Sequence, residues 1–163
     1  MNKIVLSLLC CCLMQTQLIA QAKAPKGFKV NVGVLMAIPA SNLKYSTVGA
    51  GVDVQAQYGF SNALVATSSV GYTGLAGEGF YPYTAAIPIT VGLRYYPIAK
   101  VYAAGKLGWG VYTLSTTKIN YTAYALGAAY EISKKWDTGV YYDGFINSKT
   151  SFGYVALRVG YTF

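Results

Sequence analysis

The side chains that most often carry out catalysis are scarce in this sequence of 163 residues. It contains no histidine, so the usual general base, the histidine-assisted nucleophiles and the commonest metal ligand are all missing. Asp137 and Asp143 share one face of a single extended segment, but that spacing separates them by about 20 Å, too far for two carboxylates to cooperate. We therefore expect no enzyme activity, no cofactor and no metal site.

Residues 10–12 are three adjacent cysteines, and they lie inside an N-terminal apolar run. Lys3 supplies a positive charge before that run, which extends over residues 4–14. Ala20-Gln21-Ala22 has the small-residue pattern of a cleavage site. These three features are typical of a secretory signal peptide, and we expect cleavage after Ala22.

Two alternatives to a signal peptide can be weighed from the same residues. A membrane anchor needs an apolar run of about 17 to 25 residues, and Gln15 interrupts this one early. A lipid-modified Cys10 needs a small residue before it, whereas Leu9 stands there. We accordingly predict a signal peptide at 1–22 and one domain at 23–163, which has no cysteine for a disulfide, a nucleophile or a metal site.

The whole chain is 54% apolar and only 11% charged, with a formal net charge of +8. Such a composition suggests a membrane protein, yet no stretch after the signal peptide is apolar for long enough to span as a helix. From residue 28 onward, apolar residues instead alternate with polar residues or glycine, which is the period of a β-strand. The alternation divides the domain into eight segments: 28–36, 48–60, 64–73, 87–96, 101–112, 122–132, 136–145 and 151–163.

Each segment is apolar on one face only. In the first, Phe28 and Val30 share a face, and Lys29 and Asn31 lie on the other. Strands of about ten residues are long enough to cross a bilayer at a tilt of about 45°. A soluble barrel or sandwich is the alternative, but its surface would then be the glycine-rich face. The fraction of charged residues on that face is far below the roughly 25–35% that soluble surfaces carry. We therefore predict an all-β fold, an eight-stranded antiparallel up-and-down transmembrane β-barrel.

The connections between these segments alternate between long and short. The long ones are 37–46, 74–86, 113–121 and 146–150, and the short ones are 61–63, 97–100 and 133–135. Outer-membrane barrels have short periplasmic turns and longer external loops, and aromatic residues at the ends of the apolar faces are typical of interfacial girdles. Pro88 is expected at the loop-side end of its strand, where a missing ladder donor is tolerated.

The chain ends on an alternating set of apolar residues, Leu157, Val159, Tyr161 and Phe163. This ending resembles the signal by which the barrel-assembly machinery recognises outer-membrane proteins. Residues 87–96 and 124–130 are similar to strands of the small outer-membrane β-barrel, or porin-family, domain of Gram-negative bacteria. The resemblance implies an exported protein of the cell outer membrane with the assembly machinery as a partner, and it implies no substrate.

If the apolar faces meet lipid, the charged residues of the strands point into the lumen. They are four of each sign: Lys29, Asp53, Arg94, Lys106, Glu131, Asp137, Asp143 and Arg158. Because an unpaired buried ion is costly, we expect Arg94 and Arg158 each to find an acidic partner there. The set then forms either a polar plug or, alternatively, the lining of a narrow porin-like channel for ions or small solutes.

The remaining positive charge lies in the connections, without the clustered run typical of a nucleic-acid surface. Lysines on the external loops suit the phosphates of outer-membrane lipid, including lipopolysaccharide. The aromatic residues of the loop at 74–86 are the expected contact surface for a partner: Phe80, Tyr81 and Tyr83. We predict a non-enzymatic integral outer-membrane barrel with a structural or surface-interaction role, the narrow channel being the alternative.

Overall fold

The computed structural model of the chain describes residues 24, 26–41, 43, 46–77, 83–114 and 117–163. The predicted signal peptide therefore lies outside the described residues. Among the residues described, no helix is long and apolar enough to cross a membrane. The strands are β1 (Gly27–Ser41), β2 (Ser46–Gly59), β3 (Leu64–Gly77), β4 (Thr84–Ile98), β5 (Val101–Leu114), β6 (Thr117–Glu131), β7 (Trp136–Ile146) and β8 (Ser151–Thr162).

Each strand pairs antiparallel with the next one in the chain, and β8 returns to pair with β1. Val34 of β1 illustrates the closure, because it lies opposite Val52 of β2 on one side and Val159 of β8 on the other. Closure satisfies the backbone groups that an edge strand would leave open. The prediction of an eight-stranded antiparallel up-and-down barrel is confirmed.

The period of two places apolar side chains outside the barrel and polar ones inside. In β8, Leu157 and Val159 are exposed, whereas Ala156 and Arg158 are buried. The same alternation holds along β2, where Val52 and the residues in step with it face outward. An apolar exterior around a polar interior is the inverse of a soluble protein and is the arrangement that a lipid bilayer stabilises.

The connections differ from the expected pattern of long and short segments. At the end where β1 begins, called the turn end below, they are 60–63, 99–100 and 132–135; at the opposite end, the loop end, they are 42–45, 78–83, 115–116 and 147–150. The prediction of long loops was wrong because the strands continue past their alternating segments: β3 runs to Gly77 and β6 begins at Thr117. Residues such as Gly77 and Thr117 continue the backbone ladder there, although hydropathy no longer alternates.

Pro88 does not lie at a strand end as predicted. It lies inside β4, opposite Gly110 of β5 and four residues after the strand begins at Thr84. The ladder from β4 to β3 passes from the pair Val70–Ile89 directly to Thr73–Ala86. The interruption follows from the chemistry of proline, which has no N–H to donate.

Candidate functional site

In the lumen, side chains from strands that are not neighbours in the wall can meet. Its turn-end half holds a buried cluster of polar groups. We call it the ion-paired cluster; its members are Asn31, Asp53, Gln55, Arg94, Asp137 and Arg158. All of them occupy inward-facing positions of their strands and are buried. The strand period of two points all six side chains into one compartment, although they come from five different strands.

Arg158 is the centre of this cluster. Its Nε donates to Asp53 Oδ1 at 2.8 Å, and its Nη1 donates to Asp137 Oδ1 at 3.0 Å. Its Nη2 donates to Asn31 Oδ1. The guanidinium thus bridges β1, β2 and β7 from its place on β8, and 3% of the residue is exposed. Charge-assisted bonds of this kind are strong where water is excluded.

Arg94 lies beside it and is buried to the same degree. Its Nη1 is 3.9 Å from Asp137 Oδ2, and its Nη2 donates to Gln55 Oε1. The guanidinium carbon lies 4.4 Å from the centre of the Tyr102 ring, a cation–π distance. Both arginines therefore face the lumen, and each has a carboxylate within ion-pair distance.

Two inward glycines give this cluster its space. A Cβ at Gly33 would collide with Asp53 Oδ1 and with the Arg158 guanidinium. A Cβ at Gly160 would lie 2.8 Å from Asn31 Oδ1 and 2.9 Å from Asp137 Oδ1. The glycines on the polar face of the strands thus serve packing of the lumen, since any larger residue would displace an ion pair.

Above the ion-paired cluster, at middle height, lies a cavity of about 40 Å³. Lys106 and Asp143 line it together with Asp53, whose Oδ2 is buried and has no hydrogen-bond partner among the described residues. Ser69 and Thr90 also line it and bond to each other at 2.8 Å. A space of this size, lined in part by charged side chains, is large enough to admit water.

The loop-end half of the lumen is filled by aromatic rings. We call this the aromatic layer; its members are Tyr112, Tyr121, Phe145, Phe152 and Tyr154. Phe152 lies at its centre, stacked on Phe145 at 4.9 Å and 4.4 Å from Tyr112. These rings were not predicted from the sequence, although each lies an even number of positions from a charged inward residue of its strand: Phe152 from Arg158, and Phe145 from Asp143.

The other two predicted lumen residues, Lys29 and Glu131, lie at the mouth of the turn end. Glu131 Oε1 accepts a 2.6 Å bond from the hydroxyl of Tyr96, and Lys29 lines a shallow pocket there with Glu131. Of the predicted lumen charges, four join the ion-paired cluster, Lys106 and Asp143 line the cavity, and these two line the mouth.

The residues of the resembled assembly signal lie on the lipid-facing side of β8. Leu157, Val159 and Phe163 are exposed, and Tyr161 is half-buried between its ring neighbours. Of the predicted loop contacts, Phe80 and Tyr81 lie outside the described residues.

Tyr83, the third predicted loop contact, lies against the outside wall of the barrel. Its hydroxyl is 2.9 Å from that of Tyr72, and its ring covers Gly74 of β3. Tyr72 is one of the exposed aromatic residues near the loop end. The structure thus places Tyr83 in the aromatic girdle of the barrel wall.

No protein-family model matches the sequence, and no curated protein matches it. Solved structures do match. The attachment invasion locus protein Ail of Yersinia pestis superposes with a TM-score of 0.62 at 17% identity, over 85% of this chain and 100% of that one. The N-terminal β-barrel domain of Pseudomonas aeruginosa OprF superposes with a TM-score of 0.60 at 9% identity, over 85% of this chain and 98% of that domain. Neisserial surface protein A superposes with a TM-score of 0.51 at 18% identity, over 85% of this chain and 98% of that one.

At sequence identities this low, the structural similarity establishes the fold alone. The chain has the fold of the small eight-stranded outer-membrane β-barrels, as the resemblance in its sequence implies. The alignment covers nearly the whole of each solved barrel.

Proposed function

We propose that this chain is an integral protein of the outer membrane that keeps its lumen closed, catalyses no reaction, and acts through its wall and rims in envelope structure or surface contact. The apolar exterior and the shared fold support the membrane location. The closed lumen rests chiefly on one observation, the bridging of three strands by the Arg158 guanidinium across the turn-end half.

The ion-paired cluster is well suited to act as a plug. Moving Arg158 aside would leave Asp53 buried without its arginine partner and Asp137 with only Asn31 and the more distant Arg94. Leaving a buried carboxylate unpaired costs several kcal/mol in a low-dielectric interior. The aromatic layer adds a second obstacle at the loop end, where Phe152 touches rings from three other strands. A solute would have to displace both layers to pass.

The partners proposed for such a barrel are lipids and the assembly machinery. Lys118 and Lys149 are exposed at the loop end, where they suit the phosphates of lipopolysaccharide. The outward apolar residues of β8, with Phe163 beyond them, suit recognition by the barrel-assembly machinery. A surface-contact role is also favoured by two neighbours in structure, since one is named an attachment invasion locus protein and another a surface protein.

The second candidate is a narrow channel for ions or small solutes. The cavity beside Lys106 and Asp143 favours it, because a space lined by charged side chains already exists at middle height. Such a channel would need the two layers above and below the cavity to move apart.

Conductance of the purified protein in planar lipid bilayers separates the two functions. We expect a baseline without steady channel events, in preparations whose heat-modifiable mobility on SDS gels shows a folded barrel. Steady events in the wild-type protein, altered in the variant Lys106→Ala, would establish the channel and overturn the closed lumen.

A further inference from the structure

A basic and aromatic cluster lies on the outer wall at the turn end, apart from the lumen. We call it the Lys135 cluster; its members are Lys135, Trp136, Tyr161 and Phe163. The Nζ of Lys135 donates to the hydroxyl of Tyr161 at 3.1 Å and lies 5.5 Å from the centre of the same ring. Because this partner is neutral, the contact orients the ammonium group without neutralising its charge.

The rings of this cluster form a continuous surface. Trp136 and Phe163 each meet Tyr161 edge-on, with ring centres 5.0 Å apart in both pairs. Trp136 is 48% exposed and Phe163 73% exposed, both on the face that carries the apolar side chains of β7 and β8. A cation therefore lies at the edge of an aromatic, lipid-facing surface.

The backbone holds the cluster in place. Ser133 Oγ accepts from the amides of Lys135 and Trp136 at 3.2 Å each, which closes the turn at 132–135. The amide of Thr162 donates to the carbonyl of Lys135 at 2.7 Å and ties that turn to the end of β8. Lys135 is thus fixed at a set height relative to the girdle.

We propose that the Lys135 cluster binds the phosphate of an anionic phospholipid in the leaflet at the turn end. The ammonium group supplies the counter-charge, the Tyr161 hydroxyl a further hydrogen bond, and the rings of Trp136 and Phe163 a surface for the glycerol and upper acyl chain. The exposed Lys134 adds a second positive charge next to the site. A soluble anion would contact only the lysine ammonium groups and would leave the exposed aromatic rings uncovered.

This inference rests on the proposed membrane location and can be tested separately from it. The sequence has two tryptophans, and Trp109 lies far along β5 toward the loop end. The variant Trp109→Phe therefore leaves Trp136, inside the site, as the only fluorescent tryptophan. The barrel is reconstituted into phosphatidylcholine vesicles that contain a minor fraction of brominated lipid, either phosphatidylglycerol or phosphatidylcholine, and quenching of Trp136 is compared.

We expect brominated phosphatidylglycerol to quench more strongly, since one lysine near the surface enriches an anionic lipid by about fivefold. Lys135→Gln removes this preference and Tyr161→Phe reduces it, whereas Lys149→Gln at the loop end leaves it unchanged. Inorganic phosphate in the buffer does not displace the lipid.

Equal quenching by the two lipids, or a preference that survives Lys135→Gln, would overturn the lipid site. Loss of the preference on adding inorganic phosphate would show that the site takes a free anion, which also overturns it. A protein that inserts into neither kind of vesicle, with no quenching at all, contradicts the proposed membrane location instead.

Discussion

The guanidinium of Arg158 and the carboxylate of Asp53 meet inside the lumen, with Nε 2.8 Å from Oδ1. The two residues lie on strands that are not neighbours in the barrel wall, since β1 separates β8 from β2. Their contact is possible because the intervening inward residue of β1 at that height is Gly33. The pair therefore links two strands that are next but one in the wall, across the inner face of β1.

Removing the arginine should destabilise the barrel strongly. Arg158→Met keeps much of the side-chain volume but leaves Asp53 buried without its arginine partner and Asp137 with only Asn31 and Arg94. We therefore expect the free energy of unfolding to fall by about 3–5 kcal/mol. Urea titration in phospholipid vesicles, followed by tryptophan fluorescence, measures it. Lys149→Met on the exposed loop is the matched control and should change the value by no more than about 0.5 kcal/mol. Equal effects of the two variants would show that the cluster contributes nothing to stability.

Gly33→Ala tests the space that the ion pair requires. The added methyl group would collide with both Asp53 and Arg158, and we expect a loss of about 1–3 kcal/mol in the same titration. Gly105→Ala is the control, because its Cβ would meet only Leu126 Cδ2 at 3.6 Å. That variant should match the wild type or gain up to about 1 kcal/mol from a less flexible unfolded chain. If Gly33→Ala proved as stable as Gly105→Ala, the tight packing around the pair would be refuted.

The aromatic layer should contribute to stability without sealing the lumen alone. Phe152→Ala removes the ring between Phe145 and Tyr112, and we expect the free energy of unfolding to fall by about 3–5 kcal/mol. Phe152→Leu keeps the site apolar and should cost less than about 1.5 kcal/mol. Neither variant should produce channel events in planar bilayers, because the ion-paired cluster stays intact. Steady conductance in Phe152→Ala would instead assign the seal to the aromatic layer.

The eight strands could be predicted from the sequence because one face of each had to be apolar for lipid and the other suited to a narrow lumen. The strand ends could not, since residues such as Gly77 and Thr117 continue the ladder without alternating in hydropathy. The inward position of Arg158 followed from the same period of two. Its partners did not, because Asp53 lies 105 residues away in sequence and the contact depends on the register of three strands.

The inward rings were predictable in principle. Phe152 is an even number of residues from Arg158, so both must face the same side of β8. Counting positions along each strand from its charged residue would have placed the aromatic layer in the lumen.

Access of water to the central cavity tests the closed lumen most directly. Ser69 lies in that cavity, and Ser69→Cys, in a chain whose residues 10–12 are alanine, can be treated with a charged thiol reagent. A cysteine at the exposed position Ser148 serves as the accessible control. The closed lumen predicts that Ser69→Cys reacts only after the barrel is unfolded, whereas Ser148→Cys reacts at once. Reaction of both at similar rates in the folded barrel would contradict it and establish a continuous aqueous path to middle height.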